Sequence, residues 1–169
     1  YDVLHPRQQN EQARGLRTTP FYERQERLGA EFFESAGWER PQWYEANRGL
    51  LTGEELVPQD EWSARFWSPI VQAEHRACRE RVGVFDLTPF TKVEVKGPGA
   101  LAFLQRLAAN DVDKAVGTIV YTAMLSPRGG IMCDLTITRT AEDRFLVVTG
   151  GAVGRHDIAW MTRHLPWDG

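Results

Sequence analysis

The sequence contains little cysteine, little lysine and no dense basic run. The two cysteines, Cys78 and Cys133, stand far apart in apolar surroundings, which favours two buried free thiols in a reducing compartment over a disulfide. The three lysines, Lys92, Lys96 and Lys114, all lie in the second half. Because the net charge is -3 and the basic residues are scattered, the composition gives no reason to expect a nucleic-acid partner.

Apolar runs and nucleotide fingerprints are missing as well. No stretch approaches the roughly 20 apolar residues that cross a membrane, and no basic-then-apolar leader opens the chain. We therefore expect no membrane partner and a cytoplasmic location, or the mitochondrial matrix in a eukaryote. Gly150-Gly151 precede a helical pattern, but the P-loop lysine and the GxGxxG order are absent, so the pattern predicts no nucleotide site.

What is present is typical of a globular domain with an extension: 169 residues, 42% apolar and 25% charged. Residues 1–19 are polar and without period, which indicates a linker or the tail of a preceding domain. Thr19-Pro20 predicts a helix that runs to Glu34. The aromatic stretch 37–44 is broken by proline and predicts an irregular corner, with a ligand wall as the alternative. Residues 45–61 carry turn formers and predict a loop.

A second helix is predicted from Ser68-Pro69 to about Arg81, with an apolar stripe along one face. The members of that stripe are Val71, His75, Cys78 and Val82. His75 and Cys78 on one face suggest a pair of metal ligands, but no CxxC or HxxxH cluster accompanies them. The pattern therefore favours a core histidine and a buried thiol, and we predict no metal.

Residues 91–165 alternate as strand, helix, strand, hairpin, strand, strand and helix. Val93 and Val95 point inward from the first strand, and both faces of the strand at 119–125 are apolar, as in a central strand. Ser126–Gly130 forms the hairpin turn. The order predicts an α+β fold: a mainly antiparallel sheet with a split β-α-β (ferredoxin-like) core and flanking helices, preceded by a helical or irregular N-terminal extension.

Asp111 lies where the first helix of this region ends. Asn110 and Asp111 are common at such breaks, because both tolerate left-handed backbone and bond locally. This property explains Asp111 as a turn residue without any function. Only the wider pattern of motifs indicates chemistry for it.

Four ordered blocks of the chain resemble the glycine-cleavage T-protein (aminomethyltransferase) family. They are Phe85-Asp-Leu-Thr-Pro-Phe-Thr-Lys-Val-Glu-Val-Lys-Gly-Pro, Leu104-Gln-Arg-Leu-Ala-Ala-Asn-Asp-Val, Gly117-Thr-Ile-Val-Tyr-Thr-Ala-Met-Leu and Arg128-Gly-Gly-Ile-Met-Cys-Asp-Leu-Thr-Ile-Thr-Arg. The chain is most similar to the folate-binding C-terminal region of FAD-dependent dimethylglycine and sarcosine dehydrogenases or oxidases. Tyr1-Asp-Val-Leu-His-Pro and Gly37-Trp-Glu-Arg-Pro-Gln-Trp-Tyr look like the seam after their flavin half.

The resemblance implies a tetrahydrofolate site with Asp111 as its main catalytic group. The carboxylate would accept or relay a proton, or stabilise a developing cation, while folate captures a one-carbon unit as 5,10-methylenetetrahydrofolate. By position, Phe32 packs near the pterin and Tyr121 lines the same cleft. Ser126 falls where family members often carry asparagine, so it offers one hydrogen bond instead of an amide pair.

The resemblance also implies partners and a domain plan. Residues 20–169 correspond to the N-terminal part of a T-protein-like folate-binding domain, truncated at its C-terminal end, and FAD is expected only on a preceding domain. Folate and a one-carbon donor are the expected small-molecule partners, and the isolated piece is not expected to be active. Two alternatives stay open: a non-catalytic regulatory or structural relative of the same fold, and a stand-alone glycine-cleavage aminomethyltransferase.

Overall fold

The computed structural model describes residues 5–166, and the chain divides between Thr88 and Pro89 into two compact units. The helices and strands of the first unit are α1 (Tyr22–Arg27), β1 (Ala30–Ser35), β2 (Trp38–Tyr44) and α2 (Pro69–Glu80). Strands β1 and β2 form an antiparallel hairpin. Of the preceding segment, Arg14 pairs with Glu39 at 2.9 Å and Arg17 bridges to Trp38, so these residues lie against β2. A domain boundary after residue 19 stays a prediction.

The helix predicted from Pro20 to Glu34 is wrong beyond Arg27. Gly29 has a φ of +68°, which ends α1 in the left-handed region, and β1 follows at once. The irregular corner predicted at 37–44 is wrong as well, because this stretch is β2. Ala36 and Gly37, with φ of 53° and 81°, supply the positive φ that a tight hairpin turn needs. Pro41 is tolerated because it lies beside a register shift, at which β2 carries one extra residue, Gln42.

Helix α2 begins where the sequence predicts it, with the Ser68 hydroxyl accepting from the amide of Ile70 and Pro69 in the first turn. Its buried face, however, carries Ile70 and Ala73. The predicted stripe is wrong: His75, Cys78 and Val82 are exposed, so His75 is not a core histidine and Cys78 is not a buried thiol. The helix packs instead against β2 and the following turn.

The second unit is a four-stranded antiparallel sheet in the order β3-β6-β5-β4 with three strands joined by short turns. Its elements are β3 (Thr91–Lys96), α3 (Ala100–Leu107), β4 (Ile119–Leu125), β5 (Ile131–Ala141), β6 (Arg144–Thr149) and α4 (Gly154–Arg163). The α+β class and the mainly antiparallel sheet are confirmed. The strand directions differ from those of a split β-α-β element. Helix α3 connects β3 to β4, and these two strands lie at opposite edges of the sheet and run antiparallel.

One face of this sheet carries the core. Phe145 and Val147 of β6 and Ile137 of β5 are buried there with Leu104 of α3 and Met161 of α4. A side chain at Gly154 would meet Thr91 at 2.1 Å, so only glycine lets α4 start this close to β3. The predicted α4 positions Val153, Ile158 and Leu165 are exposed. No helix within residues 5–166 is long and apolar enough to cross a membrane.

The other face of the sheet carries exposed apolar side chains at β4. Ile119 and Tyr121 of β4 are 64% and 66% exposed. The prediction that β4 is a central strand is wrong, since β4 is the last strand in the order β3-β6-β5-β4 and β5 is the one named strand that pairs with it among residues 5–166. Both faces of β4 are apolar, but only one of them packs on the core, and the apolar side chains of the other are exposed.

Candidate functional site

The loop between α3 and β4 is fastened at both ends. At its start, the amide of Ala109 donates to the carbonyl of Ala123, and the Asn110 side chain donates to the carbonyl of Tyr121 at 2.8 Å. At its far end, Arg139 of β5 pairs with Asp113 at 2.9 Å and donates to a backbone carbonyl of the loop. The residues between these anchors are consequently held in one place on the edge of the sheet.

Asp111 lies between the two anchors, at the point where α3 has ended. Its Oδ1 accepts from Gln105 Nε2 at 2.7 Å and from the amide of Asp113 at 2.9 Å, and its Oδ2 accepts from Lys114 Nζ at 2.6 Å. Gln105 also accepts from the amide of Val112 at 2.8 Å, which fixes its own orientation. The Asp111 side chain is nevertheless 52% exposed. The carboxylate is thus oriented by the chain and open to solvent.

These donors set the charge of Asp111. Hydrogen bonds from Lys114, then Gln105, then the amide of Asp113 lower the pKa of Asp111 to about 2. An ionised carboxylate has about four acceptor positions, and three are occupied here. The position left open is on Oδ2. At neutral pH the group therefore offers a fixed negative charge and one free acceptor position.

Tyr121 is exposed and lies on the face of β4 that points away from the core. Its hydroxyl donates to Asp134 Oδ2 on β5 at 3.2 Å, and this bond raises the pKa of Tyr121 above its ordinary value. Its backbone carbonyl receives the Asn110 side chain, so Tyr121 and Asp111 belong to the same loop-and-strand assembly. Both sequence-predicted residues therefore lie in the second unit, linked through Asn110.

Ser126 and Phe32 are placed differently. The Ser126 hydroxyl accepts from the amide of Gly130 at 3.1 Å and closes the predicted hairpin turn, so one of its two acceptor positions is engaged. Phe32 lies in the first unit, is 7% exposed, and stacks on Tyr22 with ring centroids 4.5 Å apart. The local contacts of both residues are structural. Their pterin-binding roles stay predictions.

A second group of reactive side chains joins β5 to α4. Cys133, His156 and Asp157 place one ligand atom each within 4.8 Å of one another, beside a cavity of about 360 Å³. Burial raises the pKa of Cys133 to about 12, with Asp157 adding to the shift, so the free thiol is protonated and is no nucleophile. Sequence reasoning missed this group, although the adjacent His156-Asp157 pair at the start of a helix is a visible signal. Asp111 does not line this cavity.

Comparison with known proteins connects the chain to one family. Residues 21–168 match the GCVT N-terminal domain. The chain is 41% identical over 163 residues to 4-methylaminobutanoate oxidase (formaldehyde-forming) of Paenarthrobacter nicotinovorans, covering 96% of this chain and 19% of that protein. It is 37% identical over 171 residues to the mitochondrial pyruvate dehydrogenase phosphatase regulatory subunit of Mus musculus, covering 99% and 19%.

Aminomethyltransferases are similar over a larger share of their own length. The aminomethyltransferase of Bacillus velezensis is 32% identical over 154 residues, covering 90% of this chain and 36% of that protein. The crystal structure of glycine cleavage system aminomethyltransferase T from Bartonella henselae superposes with a TM-score of 0.66 at 28% identity, covering 89% of this chain and 36% of that one. The chain thus spans about a fifth to a third of the length of these relatives. Because residues 21–168 match the GCVT N-terminal domain, the chain belongs to that family.

Proposed function

We propose that this chain is the tetrahydrofolate-binding, one-carbon-transferring region of an FAD-dependent amine dehydrogenase of the dimethylglycine and sarcosine type, which forms 5,10-methylenetetrahydrofolate. The observation that carries the proposal is Asp111: an exposed carboxylate held by Gln105, Lys114 and a backbone amide, in the block that resembles the family's catalytic segment. A turn residue needs only a bond to its own turn, such as the one from the amide of Asp113. Asp111 is in addition held by Gln105 of the preceding helix.

The charge of Asp111 favours one of its two possible roles. A general base works best with a pKa near the working pH, and the pKa of Asp111 is about 2. The group is therefore a weak proton acceptor and a permanent anion. It fits best as a fixed negative charge that orients an N–H group and stabilises positive charge on the reacting nitrogen or carbon. Bound folate would supply the nitrogens that take up the one-carbon unit.

The remaining residues support this role to different degrees. Tyr121 has an exposed ring on β4, against which a flat ligand can lie. Ser126 and Phe32 are proposed as pterin contacts from the resemblance alone. The proposed folate site thus depends mainly on Asp111 and Tyr121, which both belong to the second unit.

The relatives support an amine-oxidising context. The name of the Paenarthrobacter oxidase gives an N-methyl amine as its substrate and formaldehyde as its product, and similarity to it extends over 96% of this chain. We accordingly propose a preceding FAD domain, a following T-protein half, and a one-carbon unit at the formaldehyde level as the donor. A cytoplasmic location, or the mitochondrial matrix in a eukaryote, belongs to the same proposal.

A regulatory role is the second candidate, and a specific observation favours it. The pyruvate dehydrogenase phosphatase regulatory subunit covers 99% of this chain at 37% identity, so the same region also occurs in a protein named as a regulator. The third candidate, a stand-alone aminomethyltransferase, is favoured by the similarity to the Bacillus velezensis protein. That similarity covers 90% of the chain, less than the oxidase does.

The experiment compares the full-length gene product with its Asp111→Asn variant. Oxidation of dimethylglycine, sarcosine and 4-methylaminobutanoate is measured with and without tetrahydrofolate, and free formaldehyde and methylenetetrahydrofolate are quantified separately. We expect amine oxidation to be unchanged and methylenetetrahydrofolate formation to fall at least about 100-fold, with formaldehyde released instead. Asp143→Asn, in the exposed turn between β5 and β6, is the matched control and keeps full activity.

Three outcomes separate the candidates. Equal methylenetetrahydrofolate formation by both proteins contradicts the role of Asp111. A flavin-free product that forms none at all supports the regulatory candidate. A flavin-free product that transfers an aminomethyl carbon from a lipoyl carrier protein to tetrahydrofolate supports the stand-alone aminomethyltransferase.

A further inference from the structure

The group formed by Cys133, His156 and Asp157 combines three different metal-binding side chains. Cys133 comes from the core face of β5, and the other two come from the first turn of α4. Their ligand atoms, a thiol sulfur, an imidazole nitrogen and a carboxylate oxygen, lie within 4.8 Å of one another. Neither the proposed folate chemistry nor the core requires this combination, since an apolar residue would pack equally well at position 133.

Cys133 and Asp157 are fixed by burial, whereas His156 lies at the mouth of the cavity. Cys133 is 3% exposed and Asp157 is 1% exposed, whereas the side chain of His156 is 53% exposed. The cavity of about 360 Å³ is lined by all three and by Met132 and Val153. The cluster is therefore a buried pair of ligands with a movable imidazole over it and space beside it.

Asp157 is a buried carboxylate with little charge compensation. Its Oδ2 accepts from the hydroxyl of Thr149, and its Oδ1 lies 2.8 Å from His156 Nδ1. Within residues 5–166, His156 is the one basic group that pairs with it. Because a buried carboxylate is costly without a positive partner, a cation at this place would be stabilising. Thr149 would then act as the hydrogen-bond donor that orients a ligating carboxylate.

We propose that Cys133, His156 and Asp157 bind one zinc-type divalent cation that links β5 to α4, with its fourth coordination position open to the cavity. Thiolate, imidazole and carboxylate together are a donor set that zinc prefers, and three protein ligands with one open position is a common zinc arrangement. The hard, oxygen-preferring ions calcium and magnesium are disfavoured by the sulfur ligand.

The geometry needs only a small adjustment. Tetrahedral ligands at about 2.0–2.3 Å from zinc lie roughly 3.3–3.8 Å from one another. The three ligand atoms of the cluster lie within 4.8 Å of one another, and His156 Nδ1 lies 2.8 Å from Asp157 Oδ1, which is closer than two zinc ligands stand. Rotation of the exposed His156 ring can widen its separation from Asp157 without moving the buried pair. The cation would replace the proton of Cys133, because the thiolate is the ligand form.

The experiment uses the 169-residue chain, whose thiols are Cys78 and Cys133. After treatment with a chelator, the protein is titrated with Co²⁺, a spectroscopic substitute for zinc, and then with Zn²⁺ in competition. We expect one Co²⁺ per chain with a sulfur-to-cobalt charge-transfer band in the near ultraviolet, displaced by Zn²⁺. Zn²⁺ should also raise the unfolding temperature, since it binds only the folded arrangement.

Variants identify the ligands. Cys78→Ser is the matched control and keeps the band, whereas Cys133→Ser loses it. His156→Gln keeps a hydrogen-bonding group beside Asp157, its circular dichroism spectrum is used to check that it is folded, and it should weaken Zn²⁺ binding by at least about 10-fold. The proposal is overturned if the folded wild-type chain binds Co²⁺ without a sulfur band or not at all, or if the band follows Cys78. A persistent band in Cys133→Ser overturns it equally.

Discussion

Two carboxylates, one in each unit, both accept hydrogen bonds from a basic side chain and a backbone amide, but they differ in exposure. Glu39 accepts from Arg14 at 2.9 and 3.0 Å and from the amide of Gly15 at 2.6 Å, and its side chain is 2% exposed. Asp111 accepts from Lys114, Gln105 and the amide of Asp113, and its side chain is 52% exposed. The two groups differ in what can reach them from outside the chain.

Their ionisation is similar for related reasons. Burial alone would raise the pKa of Glu39, but the bonds from Arg14 and Gly15 lower it below its ordinary value. Lys114 and Gln105 lower the pKa of Asp111 to about 2. Both groups are therefore anions at neutral pH. Because hydrogen bonds hold both carboxylates, it is the exposed fraction that leaves only Asp111 of the two accessible to a ligand.

The largest expected difference is between function and stability at Asp111. In the full-length gene product, Asp111→Asn should lower methylenetetrahydrofolate formation at least about 100-fold. Its free energy of unfolding, measured by urea denaturation of the 169-residue chain, should change little by comparison, as for exposed positions. A loss of stability as large as the loss of activity would place Asp111 with the structural carboxylates.

Glu39→Gln should show the opposite pattern. The amide cannot accept all three donors, and its NH₂ group faces Arg14, so we expect about 2 kcal/mol of lost stability by urea denaturation. This is less than the roughly 3–5 kcal/mol for a fully buried pair, because Arg14 is 35% exposed. Glu31→Gln, an exposed position of the same hairpin, is the control and should be neutral. An unchanged urea midpoint in Glu39→Gln would mean that the buried pair of Glu39 and Arg14 does not stabilise the fold.

The pH dependence of the Glu39 effect is a smaller and more specific test. The folded-state pKa of Glu39 is below its unfolded value, so the stabilisation is fully present above the unfolded pKa of about 4.3. It is lost as the pH falls through the folded-state pKa. The stability difference between the wild type and Glu39→Gln should accordingly be constant from pH 7 to about 5 and shrink below about pH 4. A difference that persists at pH 2 would contradict the ionic origin.

The smallest effect is expected at Lys114. Lys114→Met removes the strongest hydrogen bond to Asp111 and should raise the pKa of Asp111 from about 2 towards the ordinary 3.8. Titration of the side-chain carboxyl by NMR measures this shift. Lys96→Met, which removes an exposed lysine that pairs with Glu94 instead, should leave the Asp111 titration unchanged. An unshifted Asp111 in Lys114→Met would assign its low pKa to Gln105 and the backbone.

Much of the second unit was predictable because its signals are local. The alternation of Val93 and Val95 identified β3, and Ser126–Gly130 identified the hairpin, since strand period and turn chemistry depend on neighbouring residues. In the first unit the same reasoning failed at Phe32. The run from Pro20 to Glu34 has ordinary helical composition, and only pairing with residues 38–44 makes its second half a strand.

The candidate site divides in the same way. Asp111 was identified by its position at a helix end together with the ordered family motifs around it. Its orientation and low pKa were not predictable, because Gln105 and Lys114 reach it through the folded loop. The cluster of Cys133, His156 and Asp157 was missed entirely, since β5 and α4 approach each other only after β6 has returned the chain.

The sequence by itself determined the α+β class, the antiparallel sheet of the second unit, the family and the choice of Asp111. These depend on periods, turn residues and ordered motifs, all of which can be recognised along the chain. Only the tertiary structure decided that Glu39 is buried and Asp111 exposed, and that the sulfur of Cys133 lies beside the imidazole of His156. Burial and through-space contact depend on residues far apart in sequence, so no local pattern contains them.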